Sequence, residues 1–354
     1  RAAESWYGIV SVLHPTATLN FSVCERYRAM AGTGDWEFPE AVQPKAAEVA
    51  FDLDRTLASV LSLRSKVPDD AFTASILGTE RSGNGVVIGG DGLVLTIGYL
   101  ITEAEAVWLT SEAGTATPAH VVGYDQVTGF GLVQALSRLG VPAMALGTSR
   151  DAKIGDQVIV AGHRGRRHAR KARVVSKREF AGYWEYVLDE AIFTAPPHPS
   201  WGGAALVGWD GRLQGIGSLF IQATPRDRTA DDNNMFVPID LLEPILDDLL
   251  KFGKVNKPPR PWLGMYTTEA EERVVVAGLA RGAPADRADL QVGDVVLEVA
   301  GVPVANLADT FRKIWALGPA GTEIPLTISR DGEEMNVRVR SADRNAFLKS
   351  PRLH

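Results

Sequence analysis

Cysteine is almost missing from this 354-residue chain, where Cys24 stands alone. One thiol excludes an internal disulfide and a zinc site built on paired cysteines. The expected role of Cys24 is that of a small buried hydrophobe. Long apolar runs are missing too: no stretch approaches the ~18 apolar residues that a membrane-spanning helix needs. Basic charge is in deficit, with 37 Lys and Arg against 43 Asp and Glu and a net charge of −6. General attraction to nucleic acid or to an anionic membrane surface is therefore not expected. Arg1 is not an initiator methionine, so a processed or trimmed chain is expected. There is no internal repeat, no Gly-x-Ser-x-Gly elbow and no His-Glu-x-x-His helix.

What is present is enough apolar surface, 45% of residues, to bury two cores. From Val86 onward, short β-rich runs alternate with turn signals. Residues 86–88 and 93–96 flank Gly89-Gly90-Asp91-Gly92 and read as a hairpin. Further runs lie at 106–110, 120–123, 131–136, 157–161, 172–176, 186–188, 204–207 and 213–220. Many short strands without long amphipathic helices between them predict an antiparallel barrel or sandwich. Ile239, Leu242, Ile245, Leu246 and Leu249 then recur at three and four residues, the stripe of a helix that closes this unit. Residues 251–261 hold Gly253, Pro258, Pro259 and Pro261 among basic residues and read as a linker. Beyond it, strand-type runs at 274–277, 295–299, 324–329 and 335–339 surround helical stretches at 283–288 and 308–317, with Asp331-Gly332 turning the last hairpin. Residues 1–50 carry Trp6, Tyr7, Phe21, Tyr27, Trp36 and Phe38, too many aromatics for a solvated tail.

Several segments, read in order, resemble the HtrA/DegP family of serine proteases. They are Ser82-Gly83-Asn84-Gly85-Val86-Val87-Ile88, Asp91-Gly92-Leu93-Val94-Leu95-Thr96, Gly123-Tyr124-Asp125, Leu146-Gly147-Thr148-Ser149, Ile154-Gly155-Asp156-Gln157-Val158 and Phe236-Val237-Pro238-Ile239. The likeness is collinear over roughly residues 55–342. It implies a mostly β fold: a trypsin-like (chymotrypsin-fold) double β-barrel followed by a PDZ domain. The expected division is an aromatic-rich extension over 1–50, the barrels over 51–250, a linker over 251–260, the PDZ domain over 261–343 and a tail over 344–354. The resemblance also implies a periplasmic or otherwise extracytoplasmic location in a bacterium and a trimer-based homo-oligomer, although the first fifty residues depart from the family.

The family's catalytic motifs fall on unexpected residues. Its histidine follows Leu-Thr-x-x, and here Leu95-Thr96-Ile97-Gly98 leads to Tyr99. Its aspartate aligns with Gly129 in Asp125-Gln126-Val127-Thr128-Gly129, and its serine with Gly202 in Ser200-Trp201-Gly202-Gly203. A serine nucleophile needs an adjacent base, and that base an orienting carboxylate. Glycine supplies neither, and a phenol with a pKa near ~10 stays protonated at neutral pH. The expectation at this level is a catalytically inactive scaffold or adaptor and not an enzyme. The alternatives are a hydrolase with a relocated nucleophile at Ser200 beside His198, metal-assisted chemistry, or a purely structural subunit.

In the second unit, Pro261-Trp262-Leu263-Gly264-Met265 resembles the PDZ loop that receives a peptide's terminal carboxylate on backbone N–H groups. The resemblance implies an extended peptide added beside Met265, Tyr266 and Thr267, its last side chain near Leu263, Met265, Phe311 and Ile314. Protein or peptide C-termini are thus the expected partners. The same apolar residues suit an ordinary core, and the domain could instead pack only on the barrel or on a neighbouring subunit. Arg164, Arg166, Arg167, Arg170, Lys171 and Arg173 form the densest basic run, a candidate anion-docking loop. Six histidines include His163, His168 and His198, whose spacing matches no metal-binding pair. No metal and no cofactor are expected.

Overall fold

The structure is a computed structural model that describes residues 36–222 and 231–349. Trp6, Tyr7, Phe21, Cys24 and Tyr27 lie outside the described residues. Trp36 and Phe38 do pack: their rings meet edge to face at 5.1 Å, and both lie against His198.

Two closed antiparallel barrels come first. In one, β1 (Val60–Lys66), β2 (Glu80–Val87), β3 (Leu93–Ile97), β4 (Ala106–Thr110), β5 (Ala116–Tyr124) and β6 (Phe130–Ala135) close in the order β1-β2-β3-β6-β5-β4. Short helices α1 (Leu53–Leu57) and α2 (Ala74–Leu77) precede and follow β1. The β2–β3 hairpin has the expected pairing, with Val86 opposite Leu95 and Val87 opposite Val94. Strand β1 had no expectation in the sequence, yet it buries Val60, Leu61 and Leu63. Arg64 and Lys66 break its apolar run on the outward-facing positions of a half-buried strand.

The other barrel closes in the order β10-β11-β12-β9-β8-β7, from β7 (Gln157–Ala161), β8 (Ala169–Gly182), β9 (Tyr186–Ala195), β10 (Ala205–Gly208), β11 (Leu213–Ile221) and β12 (Asn233–Pro238). Strands β8 and β9 are far longer than their apolar runs suggested. Strand β7 pairs β8 only through Arg173, and β12 reaches β9 only as far as Ile192. From there to the tip, the two strands pair with each other alone, forming a two-stranded arm. The polar stretch Ser176-Lys177-Arg178-Glu179 hides this arm from a periodicity count.

The expected closing helix is divided into a 3-10 turn, Ile239–Leu241, and α3, Glu243–Phe252. Pro244 suits a first helical turn, where no backbone N–H is needed. Gly253 ends the helix in the left-handed conformation, its N–H donating to Leu249 O. The Pro-rich segment after it is anchored: Arg260 lies 4.3 Å over the Trp315 ring, and Pro259 O accepts from Ala320 N–H.

The last unit is a sheet ordered β13-β14-β15-β17-β18, from β13 (Met265–Ala270), β14 (Arg273–Leu279), β15 (Val295–Val299), β17 (Glu323–Arg330) and β18 (Glu333–Arg340). A short β16 (Val302–Pro303) pairs β15. Two helices complete it, α4 (Pro284–Arg287) and α5 (Leu307–Ala316). Asn306 caps α5 by accepting from Asp309 N–H at 2.8 Å. Asp331 and Gly332 both take positive φ, the two-residue turn that matches strand twist. Leu263, Met265, Phe311, Ile314, Leu326 and Ile328 form its core, and Val187 of β9 joins the same cluster. Among the described residues, no helix is long and apolar enough to cross a membrane.

Candidate functional site

The three positions aligned with the family's triad converge where the barrels meet. A 3-10 turn at Gly98–Leu100 follows β3. Buried Arg81 holds it by donating to Tyr99 O at 2.8 Å and Thr102 O at 2.9 Å. Gly98 N–H donates to Gly129 O at 2.7 Å, which sets the turn beside Gly129. Tyr99 Oη crosses to the second barrel and donates to Ser218 O at 2.8 Å. A side chain at Gly202 would start 2.8 Å from that phenol oxygen, and one at Gly129 would start 3.1 Å from Tyr186 Oη. Two tyrosines therefore fill the space next to the two glycines. Tyr186 is itself anchored by donating to Thr128 O.

Asn84 ties the junction together. Its Nδ2 donates to Ser200 O, Ser200 Oγ and Gly202 O at 3.0–3.1 Å, and its Oδ1 accepts from His163 N–H at 2.9 Å. Ser200 and His198 are neighbours, yet Ser200 Oγ meets Asn84 and not an imidazole. The His198 ring spends Nδ1 on Ser200 N–H and Nε2 on His168 O. Among the described residues, no group of three or more His, Cys, Asp or Glu is placed to hold a metal ion.

Burial holds all three of these histidines neutral. It pushes His163 and His168 down to about 4, helped by nearby Arg164, and fully buried His198 down to about 3. The native state thus binds fewer protons than the unfolded chain, whose histidines titrate near 6.5. Their stabilising effect is complete above that value and is lost as the pH falls through it toward 4. The melting temperature is expected to drop by several degrees between pH 7 and pH 5. A flat thermal-shift profile over that range would contradict the buried neutral cluster.

The basic run does not form one patch. Arg167 pairs with Glu37 at 2.9 Å and Lys171 with Glu48 at 3.0 Å. Arg170 turns inward, donating to Pro197 O and covering the Phe38 ring, and Arg173 donates to Gly155 O. Arg164 and Arg166 remain exposed on the turn. The candidate anion-docking residues are spread over a 3-10 turn and the start of β8, and two of the six, Arg167 and Lys171, are paired with carboxylates.

In the last unit, the segment leading into β13 gathers backbone donors. Leu263 N–H, Gly264 N–H and Met265 N–H all point at one carboxylate, that of Glu185 at the tip of the β8–β9 arm, at 2.6–3.1 Å. Gly264 has φ +75°, and a side chain there would run into Ala283 and Trp262, so the close turn needs glycine. Trp262 is nearly buried and packs on Phe72 and Phe347. Leu263, Met265, Phe311 and Ile314 are fully buried. Tyr266 stacks edge to face on Tyr183 of the arm, and Thr267 N–H donates to Tyr183 O at 3.0 Å. Desolvation pushes Glu185 up to about 7, against the three backbone donors that pull it down. A cavity of about 630 Å³ runs from Gly98, Tyr99 and Gly129 past Trp184 to Thr267 and Leu307. It links the barrel junction to the groove beside β13. Glu185, Tyr183 and Arg312 were not singled out in the sequence. The cluster Tyr183-Trp184-Glu185-Tyr186, three aromatics around one acid, is the signal that could have found the arm.

Residues 83–216 match the trypsin-like peptidase domain family, and residues 261–340 match the PDZ domain family. A probable periplasmic serine endoprotease DegP-like from Pseudomonas fulva is 26% identical over 277 residues, 73% of this chain and 55% of that protein. The corresponding protein of Halomonas elongata is 27% identical, with 74% and 56% covered. The serine protease Do-like HtrA of Bacillus subtilis is 22% identical over 330 residues, 84% of this chain and 72% of its own length. The chain spans about half the length of the DegP-like relatives. The crystal structure of the serine endoprotease from Yersinia pestis shares the fold at TM-score 0.50 and 21% identity, covering 83% of this chain and 99% of that one. These findings overturn the expectation that the chain is not an enzyme, since the relatives are named serine endoproteases and the first barrels match a peptidase domain. The chain thus carries a double barrel that matches the trypsin-like peptidase domain family, followed by a unit that matches the PDZ domain family, and its similarity lies with the HtrA/DegP proteases.

Proposed function

We propose that this chain is an HtrA-type protease that holds extended peptides or protein ends in its PDZ domain and acts on protein outside the bacterial cytoplasm. One observation carries the binding half. Three successive backbone N–H groups, of Leu263, Gly264 and Met265, converge on a carboxylate beside the edge of β13. Such a nest with an adjacent strand edge suits a terminal carboxylate followed by an added strand. The proteolytic half and the location rest on the relatives' names, which read periplasmic serine endoprotease.

Two assays test it. Peptides ending in a free carboxylate are expected to bind at least about tenfold tighter than their C-terminal amides, since the charge-assisted bonds at the loop are lost with the anion. Equal affinity would remove the carboxylate reading. Purified protein is expected to degrade unfolded casein. Failure to degrade it, with no labelling by a serine-reactive fluorophosphonate, would restrict the function to binding. Labelling lost in Ser200→Ala would assign the nucleophile to the serine nearest Gly202.

A further inference from the structure

We infer that the tip of the β8–β9 arm is a tethered pseudo-ligand of the PDZ domain, its Glu185 side chain standing in for a peptide's terminal carboxylate and excluding peptide until it is displaced. This rests on the carboxylate-binding reading above. One backbone bond continues the match. Glu185 faces Met265 N–H, and two residues back on the arm Tyr183 O accepts from Thr267, two residues forward on β13. The direction is antiparallel, the one in which a peptide adds to a strand edge, and the contacts fall two residues apart on both segments. The arm also lends Val187 to the domain's apolar cluster, beside Phe311 and Ile314. Loop, strand edge and apolar wall are all met by one segment of the same chain.

Two further features show a built contact. Glu185 adopts φ +59°, at the left-handed position of a three-residue hairpin loop where glycine is usual. A residue with a Cβ is disfavoured there, because its Cβ crowds the following carbonyl oxygen. The glutamate is strained by its own turn and satisfied only by the neighbouring domain, the pattern of strain kept for a contact. Behind the tip, Arg312 of α5 bridges Glu179 of β8 and Asp189 of β9, both at 2.5 Å. These exposed bridges align the arm with α5 more than they stabilise it. Because the arm continues into the second barrel and Trp184 lines the shared cavity, displacing it alters the cavity that reaches Tyr99 and Gly129.

The test uses the full chain with Glu185→Ala, and with Arg312→Ala as a second route to releasing the arm. The probe is a fluorescein-labelled pool of synthetic hexapeptides with apolar C-terminal residues and free carboxylates. A groove open in a tenth of molecules weakens apparent affinity about tenfold, so release is expected to tighten binding by roughly that factor. Hydrogen exchange at residues 263–267 without peptide is expected to rise in both variants. Unchanged protection in both variants overturns the inference, as does equal peptide affinity in the parent and both variants. If exchange rises and no form binds the pool, the tether stands as a domain clasp and the carboxyl-terminal binding reading is the part that fails.

Discussion

Replacing Asn84 with alanine is expected to lower the melting temperature of the barrels by roughly 10 °C, about 4 kcal/mol at the usual scaling for a unit of this size. Asn84, on β2, is fully buried against the Ser200-to-Gly203 turn. Its amide donates to the second barrel, while its carbonyl accepts from His163 N–H. Alanine would leave Ser200 O and His163 N–H without their Asn84 partner in the half-buried junction. Each buried orphan costs about 1–3 kcal/mol, more than the net value of the bond itself. Asn84→Asp keeps the acceptor toward His163 and loses the donor, so an intermediate loss is expected. A shift below about 2 °C for the alanine variant would show that packing alone joins the barrels.

The arm's docking is expected to weaken by roughly two orders of magnitude, about 3 kcal/mol, as the pH rises from about 4.5 to above 7. The cause is burial, which pushes docked Glu185 up to about 7 from an ordinary value of 4.5. Below 4.5 the carboxyl is protonated both docked and free, and docking is at full strength. Between 4.5 and 7 the free tip ionises while the docked tip keeps its proton, so docking weakens. Above 7 both are ionised and the curve flattens. The groups facing Glu185 are the three N–H donors of 263–265, Arg344 and Tyr266. Burial pushes the Tyr266 phenol further up, away from this window. Exchange at residues 263–267, corrected for its intrinsic pH dependence, reads the effect, and Glu185→Gln is expected to be flat. A parent profile parallel to that of Glu185→Gln would remove Glu185 as the titrating group. This dependence is local and opposite in sign to the acid lability of the buried histidines, which acts on the barrels as a whole.

Reading from residues to fold succeeded where apolar alternation and turn chemistry agreed. The hairpin 86–96 and the strands 106–110 and 157–161 came directly from Val, Ile and Leu bounded by Gly-rich turns. The loop 261–265 and the glycines at 129 and 202 were singled out by their order along the chain. Strand β1 and the arm were not found, because Arg64, Lys66 and the run Ser176-Lys177-Arg178-Glu179 break the alternation. At those positions the strand is set by its pairing partner and not by its own apolar pattern, Gly85 opposite Leu61 or Ala191 opposite Arg178.

The sequence by itself determined the two folded units, their β character, the junction between them and the residue types standing at the aligned triad positions. Those follow from local periodicity, turn residues and collinear motifs, each legible within a few positions. Only the tertiary structure decided what fills the PDZ loop. The donors at 263–265 and the acceptor at Glu185 are about 80 residues apart, and the aromatic turn that holds Glu185 does not name the surface it folds against. Whether a carboxylate is free or bound depends on which surface folds against it, and burial between domains turns an ordinary glutamate into an internal ligand.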